Sequence, residues 1–394
     1  MSYLKQIVAV SYIAILGMRN RIGMTLSSGL SIAFVMIVLI GFLAMASGFS
    51  QTISSGGSKD VAIILSEGAK SELTSTIDAN ALAIVETAPG VARRNGTAIV
   101  SAENYVVVSA RRKGTTEDAN ITLRGVGKMG LNVRPQMRLV EGHVITPGTN
   151  EILVGKSIKQ GFSGFNLGEK IKLGPVEWTV VGFFDAGGSV LDSEVWADNA
   201  VVASVFTNQA RLQSLHVALS GPEGMSQLKS HVARNPTLKL SVMTEADHFA
   251  SQAKGIVKII KFVGWPLSIA MAIGALAGAL NAMFASIAAR RQEIATLRII
   301  GFSGFSVFVS TVAEAVFISL CGAAVGVLIS FALLDGMQGN TMSGNFTRVG
   351  FQLNITGDAI VACIVVAIMV GLLGSIMPAW KASRQKINEA IVQY

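Results

Sequence analysis

Four long apolar runs, with the polar segment 51–255 inserted between the first and second, constrain this chain more than any single residue. The runs cover 22–58, 262–289, 299–334 (interrupted by Glu314 alone) and 359–380. Each exceeds the ~20 residues a helix needs to cross a bilayer. One span, a large domain, then three spans close together is therefore the expected order.

Composition supports a membrane protein. Charged residues make up 14% of the chain, against about 25% in a soluble domain, and mean hydropathy is +0.54. The net charge of +8 invites a nucleic-acid reading, but its placement argues against one. Lys5, Arg19, Arg21, Arg290, Arg291, Arg298, Lys381, Arg384 and Lys386 sit in three short segments flanking the spans, opposed there by Glu293 and Glu389 alone. Segment 51–255 is nearly balanced, with 20 Lys/Arg against 19 Asp/Glu. The excess is a positive-inside signal, which predicts cytoplasmic termini, a cytoplasmic 290–298 loop and an outward-facing large domain. Cys321 and Cys363 both fall within predicted spans, so the outer domain is expected to fold without a disulfide. The Ala44-Met45-Ala46 triplet fits a cleavage pattern, yet its apolar run is too long for a signal peptide.

Along the chain, 7–18 is apolar but too short to span, and reads as a helix lying in the interface and running into the first span. Ser54-Ser55-Gly56-Gly57-Ser58 reads as a linker. An extended run at 60–66, a helix at 78–88 and strands at 97–111 and 120–126 follow. A strand at 215–219, a helix from Pro222 to Arg234 and a strand at 238–243 repeat the strand–helix–strand order. Between these units, 150–159 reads as a strand entering a helix, and 169–173 with 176–184 as a hairpin. The domain is thus expected to be α+β with a β-rich insert. Thr244-Glu245-Ala246-Asp247 fits a capping box. It predicts a helix that starts at Glu245 and runs unbroken into the second span, ~25 Å of stalk at ~1.5 Å per residue.

Catalytic motifs are missing. Gly125-Val126-Gly127-Lys128-Met129-Gly130 lacks the phosphate-cradling spacing and reads as a turn. His143, His216, His231 and His248 are scattered, without ligand spacing, and read as solvated; no metal is expected. Glu314 is the ionisable residue well inside a span, where burial is costly unless the charge is paired. A structural or coupling role fits it better than proton relay. Gly274/Gly278 and Gly322/Gly326 are small-xxx-small faces, suited to packing within one subunit or to a dimer. Segment 290–301 has Ile294, Leu297 and Ile300 at helical spacing and Gly301 as a stop. A short amphipathic helix there suits lipid headgroups or a partner's groove.

The stretch Arg290-Arg291-Gln292-Glu293-Ile294-Ala295-Thr296-Leu297-Arg298-Ile299-Ile300-Gly301 resembles the cytoplasmic segment between the second and third spans of MacB/LolC/FtsX-type ABC transporter permeases. Arg291, Glu293, Ile294, Leu297, Arg298 and Gly301 match; Ala295 and Ile299 depart from the usual small residues. Glu314-Ala315, Ser319-Leu320 and Gly322…Gly326 look like that family's third span. Pro378-Ala379-Trp380-Lys381-Ala382-Ser383 with Glu389-Ala390 looks like its tail. Glu141-Gly142, Asn150-Glu151-Ile152-Leu153-Val154-Gly155 and Val180-Val181-Gly182-Phe183-Phe184 resemble the MacB-like periplasmic core domain.

The resemblance implies a polytopic α-helical membrane protein with four transmembrane helices and a large α+β extracytoplasmic domain. The expected parts are an interfacial helix at 1–21, a first span at 22–50 and an outer domain at 51–255. Stalk and second span occupy 256–289, a coupling helix 290–301, a third span 302–334, an outer loop 335–358, a fourth span 359–380 and a cytoplasmic tail 381–394. It implies a non-catalytic subunit in a bacterial inner membrane. A second copy or close paralogue and a separate ABC ATPase that binds ATP and Mg are the implied partners. The chain itself is expected to bind no cofactor and no nucleic acid, and a periplasmic adaptor is left open. Arg291, Glu293, Ile294, Leu297, Arg298 and Gly301 are the implied coupling residues. The implied work is mechanotransmission that exports or extracts a lipoprotein, peptide or drug. The alternatives are FtsX-like regulation of a cell-wall enzyme, a membrane-anchored sensor, and proton-coupled transport.

Overall fold

The structure, a computed structural model, describes residues 3–206, 211–235, 238–342 and 348–384; the Glu389-Ala390 pair of the tail lies outside them. The chain divides into two compact units. One is built from the N-terminal segment up to Ser47, Ile259–Met337 and the chain from Leu353 onward; the other from Gly48–Lys258 and Gln338–Gln352.

In the first unit the N-terminal helix Tyr3–Gly17 passes through a 3-10 turn, Met18–Arg21, into the helix Ile22–Ser54. Together with Glu245–Ala289, Gly304–Leu334 and Gly357–Ser383, this gives, among the described residues, four helices long and apolar enough to cross a membrane. The N-terminal helix buries Val10 and Ala14 and leaves Val8, Tyr12 and Leu16 exposed; its buried side packs against Gly304–Leu334. Small residues set the helix spacing. A Cβ on Gly326 would lie 2.7 Å from the carbonyl oxygen of Ala33, and one on Gly322 would lie 2.5 Å from that of Gly29. Lipid-like surroundings offer no hydrophobic drive between helices, so close backbone approach supplies the attraction. Gly274 and Gly278 have open space in front of them. Hydroxyls inside the spans return to their own helix: Ser319 donates to Ala315, Ser330 to Gly326 and Ser375 to Gly371, at 2.7–2.9 Å. Without water, this is how such groups are satisfied.

Among the described residues, the second unit is built, beside smaller two-stranded pairings, on a mixed sheet of ten strands: β1 Val61–Ser66, β2 Val100–Arg111, β3 Asp118–Val126, β4 Arg138–Gly142, β5 Glu151–Gly155, β6 Lys170–Leu173, β7 Val176–Asp185, β8 Glu194–Asp198, β9 Ser214–Ala218 and β10 Leu240–Thr244. Their order is β10-β1-β9-β2-β3-β8-β5-β7-β4, with β6 paired to β7. The two strand–helix–strand units and the β-rich insert are therefore continuous in one sheet rather than stacked as separate modules. β4, β8 and the helix Asn199–Phe206 had no counterpart in the sequence reading.

Strand alternation gives the sheet two unlike faces. Ile121, Leu123, Val195 and Ala197 join Ile158, Phe162 and Val202 in one apolar core. Ala62, Ile64, Leu215 and Val217 join Ala81, Val85, Leu228 and Val232 in a second. The helices Asn80–Thr87, Lys156–Gly161, Asn199–Phe206 and Gly224–Ala233 supply those partners. On the opposite face the alternate residues of β9, β2, β3 and β8 are His216, Glu103, Arg124 and Glu194, all buried.

Segment 335–358, expected as a loop, carries a hairpin of its own, β11 Gln338–Met342 with β12 Arg348–Gln352. It docks on the 3-10 turn Val190–Ser193: the Gly350 amide donates to Ser193 Oγ at 3.2 Å. Phe351 meets Phe49 edge-on at 5.8 Å.

Candidate functional site

The segment between the second and third spans forms a helix, Arg291–Ile299. Gly301 ends it at φ +101°. Its amide donates to Arg298 O at 3.2 Å and that of Phe302 to Leu297 O at 3.0 Å. This pairing is the Schellman stop, whose left-handed residue is glycine because a Cβ would clash. Gly301 thus fixes where the helix ends.

The helix presents two faces. Ile294 is buried with Ile287, Val307 and Ala382, and Ala295 is buried beside it. Ile299 and Ile300 are 57% and 70% exposed, and the Glu293 side chain is 61% exposed. Ile294, one of the implied coupling residues, thus turns its side chain onto its own spans. Leu297 and Arg298 are half-buried, and the Arg298 guanidinium lies over Gly304, where any side chain would collide with it.

At the head of this helix Arg290 donates from Nη1 to Glu314 Oε2 at 2.7 Å and from Nε to Glu293 Oε2 at 3.2 Å. Arg21 approaches Glu314 Oε1 at 3.9 Å and donates to Ser286 Oγ. One carboxylate on the third span thus joins the N-terminal segment and the head of the helix Arg291–Ile299. That is the pairing an acid in such a helix requires.

A second, larger charge cluster lies in the large domain. Arg124 donates to Glu72 (2.7 and 3.0 Å), Glu103 (2.9 Å) and Glu194 (2.8 and 2.9 Å). Arg134 donates to Glu103 (2.7 and 3.1 Å) and to Glu245 Oε1 (3.2 Å). His216 places Nε2 at 3.1 Å from Glu72 and 3.4 Å from Glu103, and Nδ1 at 3.0 Å from Glu245. Trp196 Nε1 donates to Glu194 and Ser214 Oγ to Glu72, both at 2.8 Å. None of the seven charged residues is more than 3% exposed.

The reading of the histidines as solvated holds for exposed His143 and is corrected for His216 and His248. His216 is fully buried, and His248 is 1% exposed with its Nε2 2.7 Å from Gln252 Nε2. Burial alone would push the Glu103 carboxyl up, but Arg134, His216 and Arg124 beside it hold it down to about 2. Burial also works against a proton on His216; the carboxylates of Glu103, Glu245 and Glu72 outweigh it and raise the imidazole above its ordinary value. Glu72, Glu103 and His216 stand close enough to surround an ion. Their lone pairs already face guanidinium and hydroxyl donors, so an ion there would have to displace two arginines. The sequence signal for this core was weak but real: a single charge in mid-strand, in E-N-Y, T-L-R and S-L-H.

Thr244 caps the stalk as expected in one direction, accepting from the Asp247 amide at 3.0 Å. The reciprocal half differs. Asp247 Oδ2 accepts a hydrogen bond from the Thr244 hydroxyl at 2.7 Å, and Thr244 itself lies in β10 opposite Ala62 of β1.

Fold and geometry define a class: a four-helix membrane protein with an α+β domain inserted after its first span. Residues 25–235 match the MacB-like periplasmic core domain and residues 266–387 the FtsX-like permease C-terminal family. The chain belongs to this family, as an ABC transporter permease of MacB/FtsX type whose inserted domain is extracytoplasmic. It is 25% identical over 244 residues to the macrolide export ATP-binding/permease protein MacB of Hahella chejuensis, which covers 58% of this chain and 35% of that protein. An uncharacterised ABC transporter permease of Methanocaldococcus jannaschii is 24% identical over 259 residues, 62% of this chain and 60% of the relative. The chain spans less than two thirds of either protein. The crystal structure of the periplasmic region of MacB from Actinobacillus actinomycetemcomitans aligns with 52% of this chain and 94% of its own, at 13% identity and a TM-score of 0.38.

Proposed function

We propose that this permease works by mechanotransmission. A separate ATPase subunit binds ATP and Mg, and its closure pushes on the helix Arg291–Ile299. The spans and the stalk carry that motion to the extracytoplasmic domain of each of two permease copies. Substrate is handled on the outer side, in the class of a lipoprotein, peptide or drug, with a periplasmic adaptor as a further partner. Both termini lie in the cytoplasm.

The observation that carries this reading is the two-faced helix Arg291–Ile299. One side is anchored to its own spans through Ile294 and the Arg290–Glu314 pair, while Ile299, Ile300 and the Arg290-bonded Glu293 are exposed. A helix built to be pushed needs both. The pairing of Glu314 with two arginines supports a scaffold rather than a proton relay.

Ile300→Asp tests the reading more cleanly than a change at half-buried Leu297. Ile300 is 70% exposed, so its replacement should leave folding intact. A charge in a desolvated groove should weaken association with the co-purifying ATPase about tenfold or more. Unchanged ATPase binding and unchanged stimulated hydrolysis would show that this face meets lipid instead.

A further inference from the structure

The helix that carries the stalk, Glu245–Ala289, begins at a fully buried glutamate. Three groups hold its carboxylate: Arg134 Nε on Oε1 at 3.2 Å, His216 Nδ1 on Oε1 at 3.0 Å, and the Ser58 amide on Oε2 at 3.2 Å. The Ser58 carbonyl in turn accepts from the Ala246 amide at 3.1 Å. Next to it, a Cβ on Gly57 would come within 2.6 Å of the Glu245 carbonyl group. The chain leaving the first span at Gly57-Ser58 and the chain returning toward the second span therefore meet at one residue. That residue is bonded to β9 through His216.

We infer that Glu245 is the positioning residue that latches the stalk helix into the extracytoplasmic domain, and that the proton on His216 sets how firmly the latch holds. The two ring nitrogens see different surroundings. Among the described residues, Nε2 faces the carboxylates of Glu72 and Glu103, both acceptors, so it keeps its hydrogen in every state. Nδ1 faces the Glu245 carboxylate and, at 2.9 Å, Nη2 of Arg134. The imidazolium donates from Nδ1 to Glu245. The neutral ring must instead accept from Arg134, and Glu245 loses that bond.

Charge balance favours the cation. Four buried carboxylates, Glu72, Glu103, Glu194 and Glu245, face two guanidiniums, Arg124 and Arg134, with His248 alongside on the stalk. Neutral His216 leaves an excess of two negative charges, and imidazolium leaves one. Because the folded-state value is raised, the stabilisation is fully present below the unfolded imidazole value of about 6.5. It is lost as pH rises through the folded value. The latch's role in force transfer rests on the mechanotransmission reading; the attachment itself does not.

Amide hydrogen exchange on the full chain in detergent micelles tests this, with protection corrected for intrinsic rates from about pH 6 to about pH 9. Protection of 245–252 and 57–60 should fall about tenfold or more as His216 loses its proton, the weight of one hydrogen bond to a charged group. Strands β5 and β7 should hold. His216→Gln should remove the pH step and leave the stalk turn loose throughout. Glu245→Gln, which still accepts from Arg134, should do the same and serves if His216→Gln fails to fold. A wild-type stalk turn whose protection ignores pH, or a step that persists in both variants, overturns the proposal. If Glu245→Gln loosens the turn while ATP-driven work continues, mechanotransmission through this helix falls and the latch stands.

Discussion

In the membrane unit one carboxylate, Glu314, faces two arginines; in the extracytoplasmic domain four carboxylates share two arginines and an imidazole. The first cluster has cation to spare and an outlet, since Arg290 also holds the exposed Glu293. The second has anion to spare and no outlet, because every member is buried. Removing a partner therefore means different things in the two places. Near the coupling helix the orphaned charge has somewhere to go. Under the sheet it does not.

The largest expected effect follows from that contrast. Arg124→Leu strips Glu72, Glu103 and Glu194 of their shared cation and should cost about 3–5 kcal/mol, the usual penalty for breaking a buried pair. Denaturation of the full chain in micelles reads it directly, and a loss below about 1 kcal/mol would mean that water reaches the cluster. Glu314→Leu should cost less, about 1–3 kcal/mol, since Arg290 retains Glu293. Its main consequence should be lower ATPase stimulation through a misplaced third span. Glu314→Gln keeps an acceptor for Arg290 and should retain most activity; a Gln variant as inactive as Leu, with normal folding, would show that ionisation matters. The smallest effect is Thr244→Ala, which removes the stalk's cap at about 1 kcal/mol. Exchange confined to the first turn of the stalk should show it. A global loss of stability would instead make the cap part of the buried core.

The same contrast explains what was legible from residues alone. Glu314 stood out because an apolar span offers no other charge, and its pairing with arginine follows from the cost of leaving it bare. The spans, the stalk from Glu245 and the glycine stop at Gly301 were readable for similar reasons: length, capping chemistry and a conformation only glycine favours. The buried core was not. Glu103, Arg124 and Glu194 sit among 39 charged residues of segment 51–255, and nothing local separates them from solvated ones. Only strand order places β9, β2, β3 and β8 side by side with those residues on one face. The hairpin of β11 and β12 was missed because it completes its packing on the distant Val190–Ser193 turn.

The closing of that core also sets an order of assembly. Glu72 and His216 are 144 residues apart, Arg134 and Glu245 are 111 apart, and Ser58 and Glu245 are 187 apart. Contacts of such separation form late, since the chain entropy of the intervening loop must be lost first. During synthesis Arg134 and His216 emerge with the stalk end of their network still unmade. The charge network can close only once Glu245 has been made, and the hairpin Gln338–Gln352 joins the same unit later still. A truncation before residue 245 would leave Arg134 paired to Glu103 but take away the partner of its Nε and of His216 Nδ1.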